Sequence, residues 1–228
     1  MGRAGAHGGP ALGRVMPQAA QVRGADIRAF LLAFREKLAA QEAHLTALDA
    51  AIGDADHGSG MLRGANAVVA ALPADGSPGA LLKSAAMSFI SKTGGASGPL
   101  YGTALLRAAA ALPDQPQVTR PELQSALHAA YAGLVERGKA APGDKTMLDA
   151  WKPALDALDA GKTWREAAGA AAQGAEATLP LVARKGRASY LGERSVGHLD
   201  PGAASSALLW AALADTLSGP LGEGPGPA

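Results

Sequence analysis

Three aspartates, Asp49, Asp54 and Asp56, fall within eight residues in the segment LDAAIGDADHGSGM, Leu48–Met61. Carboxylates this close repel one another unless a cation sits between them, and their hard oxygens suit Mg²⁺ or Ca²⁺. An EF-hand is excluded. With Asp54 as first ligand, Gly58 falls where a ligand belongs and Ala65 where the bidentate Glu belongs. Mg²⁺ bound together with substrate phosphates fits better, because that ion takes a few carboxylates plus phosphate oxygens. The same residues also describe an Asp/Gly turn capping the next helix, and spacing alone leaves both readings open.

Three further segments are too rich in Gly, Asp, Arg and Ser to be mere connectors. In KTGGASGPLYG, Lys92–Gly102, the run Gly94, Gly95, Ala96, Ser97 and Gly98 suits backbone N–H groups facing outward at a helix start, a phosphate cradle. A plain glycine turn between packed helices is the alternative. RGKAAPGDKTM runs from Arg137 to Met147, and ARKGRASYLGERSVGHLDPGA from Ala183 to Ala203. The last gathers Arg184, Lys185, Arg187 and Arg194 without any hydrophobic period. A basic loop of that length inside a compact domain is unusual, and arginine suits bidentate phosphate contact. A solvated surface loop and a weak nucleic-acid patch are the other readings.

Acidic metal ligands, glycine loops and a basic loop together describe a nucleotide–metal site for phosphoryl transfer. That chemistry needs charge neutralisation and alignment more than a protein nucleophile. The acceptor is not identified by these residues. Two near-matches to a P-loop fail: GLVERGKA ends in Ala140 where a hydroxyl is needed, and DALDAGKT lacks the first glycine. Both follow helical rather than strand patterns. There is no G-x-S-x-G elbow and no H-E-x-x-H. His44 and His128 lie on helical stripes and read as core or surface residues.

The elements that must position these loops are helices. Ile27, Phe30, Leu31, Phe34, Leu38, Leu45 and Leu48 follow helical spacing, and further stripes run through Met61–Leu72, Leu81–Ile90 and Tyr101–Leu112. A fifth helix opens at Thr119 with Glu122 at the capping-box position and stops near Gly138. A sixth holds Met147, Trp151, Leu155 and Leu158, with Pro153 placed to bend it. A seventh opens at Thr163 with Glu166, and an eighth at Asp200-Pro201. No segment shows a period-2 strand pattern. The expected fold is all-α, about eight helices in one domain from residue 25 to 217. Residues 1–24 and 218–228, rich in Gly, Ala and Pro, are expected to be a disordered extension and a flexible tail.

Composition narrows the class. The 228 residues carry 21 basic and 20 acidic side chains, a net charge of +1, which is a poor footprint for a nucleic-acid binder. Cysteine is absent, so disulfides, thiolate nucleophiles and Fe–S clusters are excluded. No stretch approaches the ~20 apolar residues of a membrane span, and no signal peptide is evident. A cytoplasmic protein with no membrane association is expected. Glycine stands at 30 residues, well above the typical ~7%.

At its four loops the sequence resembles a known family, the nucleotide-binding DhaL subunits of phosphotransferase-system-dependent dihydroxyacetone kinases. The matching motifs are LDAAIGDADHG, GGASGPLYGT, RGKAAPGDKTMLDAW and ARKGRASYLGERSVGHLDPGA, which with their helices cover about Ala25 to Leu217. Four long motifs in order are highly specific. The resemblance implies a barrel of eight antiparallel amphipathic helices with the nucleotide capping one end. It implies that Asp49, Asp54 and Asp56 hold two Mg²⁺ ions against the diphosphate. It places His57, Gly58, Ser59, Gly60, Ala96, Ser97, Gly138, Met147, Arg187, Asp200, Pro201 and Gly202 in the ADP-binding set, with the three aspartates and Arg187 as the catalytic group. It further implies that tightly bound ADP accepts a phosphoryl group from a phosphohistidine of DhaM. As ATP, it then passes that group to dihydroxyacetone held by DhaK. A kinase subunit with exchangeable ATP, and a non-catalytic nucleotide sensor, are the alternatives. The main departure from the family is the N-terminal extension. The fourth motif and the length favour the phosphotransferase-dependent subunit over the longer ATP-dependent kinases.

Overall fold

Apolar positions at helical spacing become eight α-helices in a computed structural model that describes residues 21–218. They are α1 Gly24–Ile52, α2 His57–Ala71, α3 Pro78–Lys92, α4 Ser97–Ala111, α5 Arg120–Gly138, α6 Leu148–Asp159, α7 Trp164–Glu176 and α8 Pro201–Leu217. The local start signals form as the sequence indicates. The Thr119 hydroxyl accepts from the Glu122 N–H at 3.4 Å, and the Glu122 carboxylate accepts from the Thr119 N–H at 2.6 Å. Thr163 and Glu166 repeat this at α7, and the Asp200 carboxylate accepts the Ala203 N–H at 2.7 Å at α8. Pro153 stays inside α6. Gly174 of α7 packs there, where a β-carbon would lie 2.1 Å from the Asp149 carbonyl.

Each helix packs on the next in sequence, and α8 returns to pack on α1, so the helices close a circuit. Its interior holds Phe34 and Phe89 packed against Tyr101, and Trp151 edge-on to Trp210, ring centroids 5.4 Å apart. Fully buried alanines such as Ala85, Ala126, Ala154, Ala167 and Ala212 let neighbouring helices sit close. No helix among the described residues is long and apolar enough to cross a membrane.

Three expectations change. The extension expected to reach residue 24 stops earlier: Gln21–Arg23 form β1, and α1 begins at Gly24. β1 pairs antiparallel with β2, Gln117–Thr119, setting buried Val22 opposite buried Val118. Strands of three residues are too short to show a period in the sequence. The rest of the extension, residues 1–20, and the tail from residue 219 lie outside the described residues, while Ser218 caps α8. Finally, the basic segment before α8 is not plain loop. Arg187–Ser195 form 3₁₀ turns that kink at Gly192, φ 55°.

The connections sort into two groups. Those after α2 and α4 touch, Ser77 Oγ donating to Asp114 at 3.1 Å, and Arg120 at the start of α5 donates to the Lys162 carbonyl of the connection after α6 at 2.7 Å. Those after α1, α3, α5 and α7 carry the four polar motifs and meet elsewhere.

Candidate functional site

Asp49 is buried in the last turn of α1, and Asp54 and Asp56 are exposed in the turn leading to α2. One carboxylate oxygen from each lies within 4.8 Å of the others. Asp49 Oδ2 accepts the backbone N–H groups of Asp56 at 2.9 Å and His57 at 3.1 Å. Only glycine allows this approach at position 53, where a β-carbon would stand 2.0 Å from Asp49 Oδ1. Ala55 completes the turn in the left-handed region at φ 61°. The Asp56 carboxyl is pushed above the usual range by partial desolvation first, then by the charges of Asp54 and Asp49, against the pull of Arg187 and Arg63. A cation would relieve that repulsion, and an all-oxygen donor set fits Mg²⁺. Arg187 Nη2 sits 3.0 Å from Asp54 Oδ2.

Beside this cluster a chain of hydrogen bonds ties three helix starts together. Ser97 Oγ lies 3.1 Å from His57 Nδ1, His57 Nε2 lies 2.9 Å from Ser205 Oγ, and Ser205 Oγ lies 2.8 Å from the Tyr101 hydroxyl. Burial pulls the His57 ring down to about 4, so it is neutral near pH 7, and burial pushes the Tyr101 phenol up to about 12. A cavity of about 460 Å³ opens next to Ser97 and His57, between the α3–α4 turn, the end of α5, the α5–α6 loop and the start of α8. That size matches a small-molecule pocket. Asp200 at its edge is buried, and its carboxyl is raised to about 7 by desolvation above all, with a smaller push from Asp149, against the Ala203 N–H hydrogen bond and Lys145.

Residues 51–215 match the DAK2 domain, close to three-quarters of the chain. The chain belongs to the DAK2 domain family. The chain is 46% identical over 181 residues to the ADP-binding subunit DhaL of the PEP-dependent dihydroxyacetone kinase of Escherichia coli, spanning 75% of this chain and 86% of that one. It is 45% identical over 187 residues to the DhaL subunit of dihydroxyacetone kinase 1 of Listeria innocua, spanning 80% and 91%. Among solved structures it resembles the dihydroxyacetone kinase of C. freundii in complex with AMP-PNP and Mg²⁺, with a TM-score of 0.65 and 27% identity. That likeness covers 94% of this chain but only 38% of the other.

The expected site residues divide into groups. His57, Ala96, Ser97, Gly138, Met147, Asp200 and Gly202 line the cavity. Asp49, Asp54, Asp56 and Arg187 form the charged cluster beside it. Gly60 faces the glycine turn, where its β-carbon would stand 3.9 Å from the Gly94 nitrogen. Gly58 and Pro201 are buried and do not line the cavity. At Gly58 a β-carbon would meet the Glu42 carbonyl at 2.2 Å, so its lost side chain serves the packing of α2 on α1, and only its backbone can face a ligand.

Tyr101, Ser205 and Lys145 belong to this neighbourhood but are absent from the sequence-derived set. Tyr101 reads as one more apolar position on a helical stripe, and Ser205 as a small helix residue. Their partners lie 104 residues apart in the chain, beyond any local pattern. Lys145 and Arg137 sit in the third motif, whose charge is the only local signal for them.

Proposed function

We propose that this chain is the ADP- and Mg²⁺-binding subunit of a phosphotransferase-system-dependent dihydroxyacetone kinase. Resident, tightly bound ADP accepts a phosphoryl group from a phosphohistidine of DhaM and, as ATP, gives it to dihydroxyacetone held on DhaK, yielding dihydroxyacetone phosphate. The observation that carries this reading is the three-aspartate cluster, with oxygens within 4.8 Å, set beside a cavity of nucleotide-compatible size. The named activity of the relatives supports the kinase reading. The subunit reading is supported by the relatives that the chain spans almost end to end, which are themselves ADP-binding subunits.

In this reading Asp49, Asp54 and Asp56 hold two Mg²⁺ ions. When bound, the metal neutralises the charge of the diphosphate and of the group in transfer. The backbone N–H groups of Asp56 and His57 are taken by Asp49, and that of Gly60 by the Asp56 carbonyl. Gly58 and Ser59 then supply the free donors of the α2 first turn to phosphate oxygens. Ala96 and Ser97 do the same from the start of α4. Gly138 and Met147 flank the base, while Asp200, Pro201 and Gly202 shape the start of α8 beside it. Arg187 adds positive charge at the transferring group. The helical circuit closed by α8 on α1 supports the eight-helix antiparallel barrel, with the site capping one end. The reading includes cytoplasmic residence.

The test is to follow label from phosphorylated DhaM to dihydroxyacetone with each of the three subunits omitted in turn, and to denature the desalted chain and look for released ADP. Transfer that proceeds without this chain, or a nucleotide-free chain unable to bind Mg·ADP, overturns the proposal.

A further inference from the structure

The segment between α7 and α8 is closed at its neck by a lysine from a different loop. Lys145, in the α5–α6 connection, is 1% exposed. Its ammonium donates to the carbonyl of Thr178 at 2.7 Å and to the carbonyl of His198. Thr178 follows α7 and His198 precedes α8, so one side chain joins the two ends of the intervening segment. Two further bonds lie at the same neck: Gly197 N–H to the Leu179 carbonyl at 2.8 Å, and Asp200 N–H to Thr178 Oγ1 at 3.0 Å. Inside the segment, Ser195 Oγ accepts the Ala183 N–H at 2.8 Å and donates to the Gly192 carbonyl at 2.6 Å. The segment thus forms a loop closed at its neck and bonded to its own side chains within. Ala183 and Ala188 rest on Ile52 at the end of α1, and Arg187 reaches Asp54 at 3.0 Å.

The backbone at position 145 is one that glycine would take at lower cost, yet a lysine stands there. Lys145 sits at φ 62°, in the left-handed region that glycine takes freely and a residue with a β-carbon does not. Burial pulls its ammonium down from the usual lysine range, and the carboxylates of Asp200 and Asp149 act against that pull. The Thr178 carbonyl lies just beyond the C-terminal end of α7, where a cation is favoured. A neutral side chain would leave both carbonyls without this donor.

We propose that Lys145 is a positioning residue for Arg187: its ammonium clamps the neck of the α7–α8 loop, and the clamped loop holds the Arg187 guanidinium against Asp54 at the edge of the aspartate cluster. The proposal deepens the functional reading above and depends on it only for the transfer assay.

The chain has no cysteine, so Lys145→Cys offers a single thiol that can be alkylated in the unfolded protein before refolding. Alkylation with 2-bromoethylamine restores an ammonium of nearly lysine length. Alkylation with 1-bromopropane gives a neutral side chain of similar bulk. The two derivatives therefore differ in the charge and its hydrogen bonds. Hydrogen exchange should be at least about tenfold faster over residues 180–197 in the propyl derivative, with exchange in α1–α4 alike in both. Phosphoryl transfer should be at least about tenfold slower in the propyl derivative, and Arg187→Ala should then slow it by less than about twofold more. In the aminoethyl derivative Arg187→Ala should retain its full effect. Equal loop exchange in the two derivatives overturns the clamp. Faster exchange with unchanged transfer, or rate losses that multiply with Arg187→Ala, overturns the positioning of Arg187. If neither derivative refolds, exchange in Lys145→Met against the unmodified chain decides the clamp by the same criterion. An unmodified chain without transfer activity counts against the functional reading, and loop exchange still decides the clamp.

Discussion

The carboxylate of Asp49 accepts the backbone N–H of Asp56 at 2.9 Å. One candidate metal ligand thus fixes the backbone of another, and the same Oδ2 also holds His57. The three aspartates are therefore unequal. Asp49 is buried and builds the turn, while Asp54 and Asp56 are exposed and present the more open oxygens.

Asp49→Ala leaves two backbone donors without their acceptor and is expected to lower stability by about 2 kcal/mol. Asp49→Asn keeps a side-chain acceptor and is expected to lose less than half as much. Urea unfolding without Mg²⁺ measures both. Equal losses would show that the charge, and not the hydrogen bonding, holds the turn.

Asp54 is solvent-exposed, so Asp54→Asn is expected to change stability by no more than about 0.5 kcal/mol. Mg²⁺-dependent ADP binding, followed by calorimetry, is expected to weaken by about 10- to 100-fold, and phosphoryl transfer to be abolished. Transfer at the unmodified rate, with the partner subunits supplied, removes Asp54 from the metal set.

Two glycines of the α2 first turn should respond in opposite ways. Gly58→Ala drives a methyl to 2.2 Å from the Glu42 carbonyl and 2.4 Å from Thr46 Oγ1, so α1 and α2 must part. The expected cost is about 1–3 kcal/mol. Gly60→Ala meets nothing closer than the Arg63 guanidinium at 3.8 Å and should leave the melting temperature nearly unchanged. Scanning calorimetry of the pair checks this, and similar melting shifts would contradict the packing.

Asp200 and His57 make opposite demands on pH. The Asp200 carboxyl titrates near 7 in the fold against about 4 in the unfolded chain. The folded state holds a proton that the unfolded chain has released. The stability this group permits is therefore complete below about pH 4 and lost as pH rises through 7, by up to about 4 kcal/mol. His57, pulled from 6.5 to about 4, permits full stability above 6.5 and loses it as pH falls toward 4. Their slopes oppose each other between those values. Asp200→Asn keeps an acceptor for the Ala203 N–H and removes one slope. Its urea midpoint should rise from pH 4 to 6.5 more steeply than that of the parent chain, and should lack the decline toward pH 7. Parallel midpoint curves would refute the assignment.

Features written within a few residues were legible in the sequence. Thr119 with Glu122 and Thr163 with Glu166 announce helix starts because both partners of each bond lie in one turn. The aspartate cluster is legible for the same reason, although spacing alone leaves metal and turn undecided. The Arg187–Asp54 pairing joins residues 133 positions apart; their residue types suggested one nucleotide–metal site, but nothing local in the sequence marks the contact between them. Nothing local marks Lys145 as a clamp, because its acceptors lie 33 and 53 residues away. Gly58 shows a different limit. A glycine beside a candidate phosphate site reads as ligand-facing, yet at Gly58 the helix face that needs the missing side chain points to α1.

The sorting of the connections into two groups has a practical corollary. Ser77 of the α2–α3 junction is bound to Asp114 of the α4–α5 junction, and Arg120 at the start of α5 to Lys162 of the α6–α7 junction, while the aspartates lie at the end of α1 and in the α1–α2 junction and Arg187 in the α7–α8 junction. A reporter, affinity handle or surface tether spliced into residues 73–76 would therefore enter away from the carboxylates. Copies anchored there would leave the aspartate-bearing end free to meet incoming proteins.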